Sequence, residues 1–397
     1  MSLLSQTKKV TYATLIDVGS GSVLVSIIAS KMGVVLPTII WSHREISPLK
    51  QTEVDIPAKH LMGSLLNAVL QVQGQGIEAL KSFDSEARVT HIQISYSAPW
   101  SYTVQKTMNF SQPEPFIITA ELLHDLKATI AKKIEEERVD KEVTKHRGLT
   151  IINQNLSALT VNGYLCHSPL GQIATTISLS HTSDITETVM VDALTELQRK
   201  ILPHATVTQH SFIHLFHQTL LATESIQHDY CLINVSYEAT EIGVVHNNTL
   251  ERVSTIPVGI NTLVRGYSAA MDVPHEEAYS FLREPYHSQA LETLSVTKKR
   301  AVDDVTAEYK RHLITLFSEK TDLLSIPKTL IVHNTQEIDS FLNVAIAEAT
   351  KEVTFATHTI RNVADYIRLP EVSDIQKQFA HQPYISAQFF HQQSNPT

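Results

Sequence analysis

Two stretches of the chain, TLIDVGSGSVLVSII (14–28) and CLINVSYEATEIGVV (231–245), read as copies of one another. Leu15, Ile16 and Val18 fall on Leu232, Ile233 and Val235. Asp17 falls on Asn234, and Gly19-Ser20-Gly21-Ser22 falls on Ser236-Tyr237-Glu238-Ala239. Each copy is an aliphatic, β-branched run broken by a short turn, which spells strand, turn, strand. A unit that recurs once in each half predicts a duplication, two α/β lobes that each offer a tight turn. On residue types alone, 17–22 reads equally as a plain hairpin with a capping aspartate and as a cradle for phosphate.

The 397 residues, 43% of them hydrophobic, suffice for two lobes with large cores. A formal charge of −9 excludes a binder of nucleic-acid backbone, which needs a basic face. Cys166 and Cys231, the two cysteines, exclude a disulfide framework and point to a reducing compartment. No apolar run approaches the roughly 20 residues of a membrane helix. Gln6, Lys8 and Lys9 interrupt any signal-peptide core, so a cytoplasmic protein is expected.

Periodicity predicts strands at 10–18, 23–29 and 37–46, then a helix over 60–73 with Leu61, Leu65, Leu66, Val69 and Val72 on one stripe. A strand at 88–100, a helix at 118–138 (Leu122, Leu126, Ile130 and Ile134 four apart) and strands at 149–166 read as a small α+β module. The expected division is a first lobe at 1–85, an insert at 86–171, the rest of the first lobe at 172–228 and a second lobe at 229–375. The Gln/His-rich tail at 376–397 is expected to be disordered. Helices are expected at 187–202 and 211–224. In QHSFIHLFHQ, His210, His214 and His217 are spaced four and three apart, as on one helical face. Three imidazoles on a face suit zinc or nickel, but the interleaved Phe212 and Phe216, with no acid at a suitable spacing, favour a surface or interface helix.

In this order the segments resemble the bacterial actin-like cell-division family of FtsA type and its pilus-assembly relative PilM. The residues carrying the resemblance are DVGSGSV (17–23), FIITAELLHDLKATI (116–130), LTIINQ to SPLG (149–171), INVSYEATEIGVV (233–245) with IPVGIN (256–261), and VPHEEAYSFL (273–282). The resemblance implies a two-lobed actin-like ATPase fold, a ribonuclease H-like duplication, with an SHS2-type α+β insert in the first lobe. It implies ATP with Mg²⁺ as ligand. Asp17 would hold the metal through water, and Gly19, Ser20, Gly21 and Ser22 would cradle phosphate. In the second lobe Ser236, Thr240 and Glu241 keep part of the motif. There, Asn234 replaces an acid, and Tyr237 and Glu238 replace glycines. On the adenosine side His333 and Asn334 stand where glycines are expected. Hydrolysis is therefore expected to be weak or lost.

The function so implied is a cytoplasmic scaffold at the inner face of the membrane, linking a cytoskeletal or envelope complex to it through protein partners and self-assembling into filaments. A PilM-type pilus or secretion platform is the alternative. From another class, an active ATPase or sugar kinase is opposed by Asn234, Tyr237 and Glu238. Division-type relatives end in a basic membrane helix. Here IQKQFAHQPYISAQFFHQQ has one lysine, and Pro383 is expected to break any helix, so membrane contact is expected to be indirect or weak.

Overall fold

The computed structural model describes residues 10–47, 58–140, 148–166, 168–223, 226, 228–283, 291–318, 326–335, 338–367 and 381–395. The N-terminal unit runs β1 (Val10–Val18), β2 (Ser22–Lys31), β3 (Thr38–Ile46), α1 (Ala58–Gln71), a π-turn (Val72–Gly76), α2 (Ile77–Phe83) and β4 (Val89–Tyr96). Next come β5 (Ser101–Ile117), α3 (Ala120–Asp140), β6 (Leu149–Val161), β7 (Tyr164–Leu165) and β8 (Ile173–Glu187). The lobe resumes with α4 (Thr188–Ile201), β9 (Thr206–Ser211) and α5 (Phe212–Leu221). The second half holds β10 (Tyr230–Val235), β11 (Thr240–His246), β12 (Thr249–Ile256), α6 (Ile260–Met271), α7 (His275–Arg283), α8 (Val296–Ser318), β13 (Thr329–Asn334), α9 (Asp339–Thr354) and β14 (Thr359–Asn362). A final helix, α10, spans Gln382–Ser394.

The repeat is visible in the pairing. One sheet has order β3-β2-β1-β4-β9 and the other β12-β11-β10-β13-β14. In both, the first three strands are antiparallel and the last two join in parallel. The register matches across the copies: Val18 faces Val23 and Val235 faces Thr240, so Asp17 and Asn234 hold equivalent places beside equivalent turns. β1 and β10 are apolar almost throughout because both their faces are covered.

The insert departs from the expected 86–171. β4 pairs in parallel with β1 and belongs to the first-lobe sheet, whereas β8 is the central strand of the insert sheet, order β5-β8-β6-β7. The insert sheet is thus built from residues 101–187. The stretch from 172, read as a return to the lobe, is its longest-paired strand. Helix α3 covers one face with Leu123, Leu126, Ile130 and Ile134. On α1 the buried stripe is Leu61, Leu65, Ala68 and Val69, and Leu66 faces outward at 46% exposure.

The tail corrects a second expectation. Residues 376–380 lie outside the described residues, but 382–394 form α10, buried between the lobes rather than disordered. Pro383 stands in the first turn, where its missing N–H has no helical partner to lose, so it starts the helix instead of breaking it. Tyr384, Ile385, Ala387, Phe389 and Phe390 join Leu15, Ile28, Phe212, Phe216, Tyr230 and Leu232 in one core between the two sheets. Helix α5 is buried in the same core, so its histidines lie at an internal interface and not on a surface.

Candidate functional site

The two repeated turns meet at the centre of the molecule. The backbone N–H of Glu238 donates to Ser20 Oγ (2.7 Å), which leaves the Ser20 hydroxyl to donate to Ser236 Oγ (2.8 Å). Ser236 in turn donates to the Ala239 carbonyl (2.8 Å). This one-directional chain stitches first-lobe turn to second-lobe turn. A contact of 2.8 Å leaves no room for a phosphate between them. A Cβ added at Gly21 would lie 2.6 Å from Tyr237 Cβ, so glycine there makes room for a tyrosine of the opposite lobe.

Each turn is also tied from behind. Trp100 Nε1 donates to the Gly19 carbonyl (2.8 Å), and Ser47 N–H to the Gly21 carbonyl (2.9 Å). On the other side the first N–H groups of α6, from Ile260 and Asn261, donate to the carbonyls of Ser236 and Tyr237. The helix end that would suit an anion is therefore satisfied by backbone. Gly259 permits this approach, since a Cβ there would sit 2.5 Å from the Ser236 carbonyl oxygen. Glu238, which stands where a glycine is expected, has its charge neutralised. Arg265 grips both its carboxylate oxygens at 2.9 and 2.7 Å, and Asn261 adds a bond of 2.7 Å.

Asp17 is 2% exposed. Its Oδ1 accepts from Ser95 and, at 2.6 Å, from Ser386 of α10. Burial pushes its pKa up to about 6, against the opposing pull of Ser386, Ser95 and the Arg44 guanidinium. Arg44 itself reaches in from β3 to donate to Ser22 Oγ and to Gln382 Oε1, both at 3.0 Å. The position read as the metal-side acid is thus capped by the C-terminal helix and has a guanidinium as its nearest counter-charge.

On the second lobe Asn234 Oδ1 accepts from His333 Nδ1 (2.9 Å). His333 is 2% exposed, its ring lies against Phe212 and Phe216, and burial drives its pKa down to about 3. The ring face that would meet a base is occupied by α5. Thr240 Oγ1 donates to the Val258 carbonyl (2.7 Å). Asn334 accepts from Ile338 N–H and donates to Asp339, which makes it a local cap at the start of α9. Glu241 is fully buried, and desolvation raises its pKa to about 8, with Asp184 adding to the rise and Asn234 opposing it. Burial thus favours its protonated form.

These residues do not fit Mg·ATP in this arrangement. The turns are closed on one another, one candidate acid is capped at Oδ1, burial favours the neutral form of a second, and a third is replaced by an engaged asparagine. The structure joins Ser20 to Ser236 across the turns, sets Arg44 between Asp17 and Ser22, and joins His333 to Asn234, while Asn334 makes local contacts at the start of α9. Sequence reasoning missed Arg44, Arg265 and Ser386. Arg44 carried little signal, because PTIIWSHREI also holds Thr38, Ser42, His43 and Glu45.

The three α5-side histidines also part company. His214 Nδ1 meets Asp184 (2.8 Å), His217 Nδ1 meets Tyr230 (2.9 Å) and His210 Nδ1 meets Asn153 (3.2 Å). Among the described residues no group of three His, Cys, Asp or Glu side chains converges on a metal position.

No family model and no curated protein matches the sequence. Among solved structures the chain is similar to one from a PilM-PilN type IV pilus biogenesis complex, with a TM-score of 0.56 at 9% identity, over 95% of this chain and 96% of that one. It is also similar to the ethanolamine utilization protein EutJ of Carboxydothermus hydrogenoformans (TM-score 0.45, 8% identity, 96% of this chain and 89% of that one). A Bacteroides thetaiotaomicron protein with an actin-like ATPase fold and unknown function gives a TM-score of 0.38 at 8% identity, over 92% and 95% of the two chains. At such identities the likeness is one of fold. With its two matched five-stranded sheets, each opening on the same strand-turn-strand unit, the chain has the two-lobed actin-like ATPase fold.

Proposed function

We propose that this protein is a non-hydrolysing actin-like scaffold that serves as an assembly platform for an envelope machine of the pilus or secretion type, held at the inner face of the membrane through protein partners. The observation that carries the reading is the direct stitch between the turns, from Glu238 N–H through Ser20 to Ser236. An active ATPase or sugar kinase needs that space for phosphate. The similar structure is named as a complex of PilM with PilN, which supports a platform that works by binding another protein.

A division scaffold of FtsA type, self-assembling into filaments, is the second reading, and the insert and duplication favour it equally. The platform is preferred because α10 is buried core and is not offered as an amphipathic anchor. Among the described residues no helix is long and apolar enough to cross a membrane. Deleting the gene in its native cell is expected to abolish a surface fibre or secreted product while cells divide at normal length. Undivided, elongated cells with intact surface fibres would instead establish the division role.

A further inference from the structure

A cavity of about 490 Å³ lies away from the paired turns, where four parts of the molecule meet: β6 and β8 of the insert, α5, the β11–β12 turn of the second lobe, and the end of α10. Its volume falls within the range of small-molecule sites, about 300–1,000 Å³. Asn153, Thr182, His210, His214, Asn248 and Phe389 are among its walls, and among the described residues no lysine, arginine or carboxylate lines it.

The insert sheet explains that chemistry. α3 covers one face, and the alternate residues of β8 (Ser178, Ser180, Thr182 and Asp184) point to the other. Asp184, fully buried, anchors the arrangement. It accepts from His214 Nδ1 (2.8 Å), from Thr103 (2.9 Å) and from Asn153 Nδ2 (3.1 Å). Burial alone would raise its pKa, but these partners, His214 foremost, hold it below the usual carboxylate range, so it is an anion behind the wall.

The anchoring fixes two imidazoles in the wall. Asp184 accepts the Nδ1–H of His214, which sets the orientation of that ring. The Asn153 amide has its nitrogen on Asp184, so that nitrogen also donates to His210 Nδ1 (3.2 Å), and the proton of His210 sits on Nε2. Burial keeps His210 neutral, with its pKa pushed down to about 4, and Phe389 packs edge-on against it at 4.9 Å. His210 therefore presents an N–H donor beside the ring of His214.

The second observation is an unmet hydroxyl. Thr182 is 1% exposed and lines the cavity, yet its Oγ1 has no hydrogen-bond partner among the described residues. Its cross-strand neighbour Gln105 likewise has an Oε1 with no partner among them. Buried polar atoms are rarely left unpaired, and a group that both donates and accepts satisfies Thr182.

We propose that this cavity binds an uncharged polyhydroxyl molecule the size of a mono- or disaccharide, with Thr182 and the His210–His214 pair holding its hydroxyls. Anionic ligands are disfavoured because, among the described residues, the walls carry no lysine or arginine. The site lies between insert, lobes and C-terminal helix, so its occupancy would report on their arrangement.

Saturation-transfer NMR and calorimetric titration of the full chain with D-glucose, D-ribose, maltose and myo-inositol test this, with glucose 6-phosphate as the anionic comparison. At least one neutral polyol is expected to bind at about 1 mM or tighter. Binding is expected to weaken about tenfold or more in Thr182→Val. It is expected to vanish in Leu156→Trp, which fills the cavity from a side chain that is 39% exposed and is well placed to leave the fold intact. Glucose 6-phosphate is expected to bind no better than glucose. The proposal falls if none of the four polyols binds at about 20 mM, if binding persists unchanged in Leu156→Trp, or if a neutral Asn/Ser tetrapeptide binds where the polyols do not.

Discussion

A chain ending at residue 380 is expected to lose the cooperative unfolding of the full-length protein. The removed helix contributes Tyr384, Ile385, Phe389 and Phe390 to the core between the sheets, each at 5% exposure or less. At about 1.5–3 kcal/mol for each large buried side chain, their loss comes to roughly 6–12 kcal/mol. That is comparable with the whole stability of a typical fold, about 5–15 kcal/mol. Polar bonds go with them: Gln93 loses the Ser386 carbonyl, Ser30 loses His391, and Arg44 loses Gln382. Calorimetric melting of the two chains checks this. A truncated chain that melts as one sharp transition within a few degrees of the full protein would show that α10 is dispensable, and the description of the core would be wrong.

Glu241→Gln is expected to stabilise the protein in alkaline solution. The carboxyl, ordinarily titrating at 4.5, is raised to about 8 in the folded chain by burial. Between those values the native state keeps a proton that the unfolded state releases, so the contribution of Glu241 is most favourable below pH 4.5 and is lost as pH rises toward 8. Glutamine keeps the shape and removes the titration. The expected gain over wild type at pH 8 is on the order of 4 kcal/mol at most, and it shrinks to less than about 1 kcal/mol at pH 5. Urea titrations of both proteins at the two pH values measure it. Equal or lower stability of the variant at pH 8 would mean that Glu241 is ionised and held by a partner, and a metal-side role for it would revive.

The duplication was legible because its signal is local. An apolar pattern sits around a short turn in each copy, and the copies align without gaps, so the opening strand-turn-strand unit of each lobe followed from the repeat. The insert's edges were not legible. β4 and β8 look alike as sequence, and which sheet each joins is decided by pairings with β1 and with β5 and β6 that are far away in the chain. The tail misled for a related reason. Its glutamines and histidines are typical of disorder, yet in the fold Gln382 and His391 find partners in Arg44, Ser30 and the Val34 carbonyl, more than three hundred residues upstream. At the site, sequence placed Asp17, Ser20 and Ser236 on facing turns. It gave no partner for Glu238, because Asn261 and Arg265 lie on the following helix.

The central claim is that the turns close on each other and leave no place for nucleotide phosphates. The measurement that tests it most directly is the melting temperature of the full chain with and without about 5 mM Mg·ATP, beside Asp17→Ala. The account predicts no shift for either protein. A saturable rise of about 2–4 °C in wild type that disappears in Asp17→Ala would show that the lobes open to take nucleotide at residues 17–22, and would contradict it.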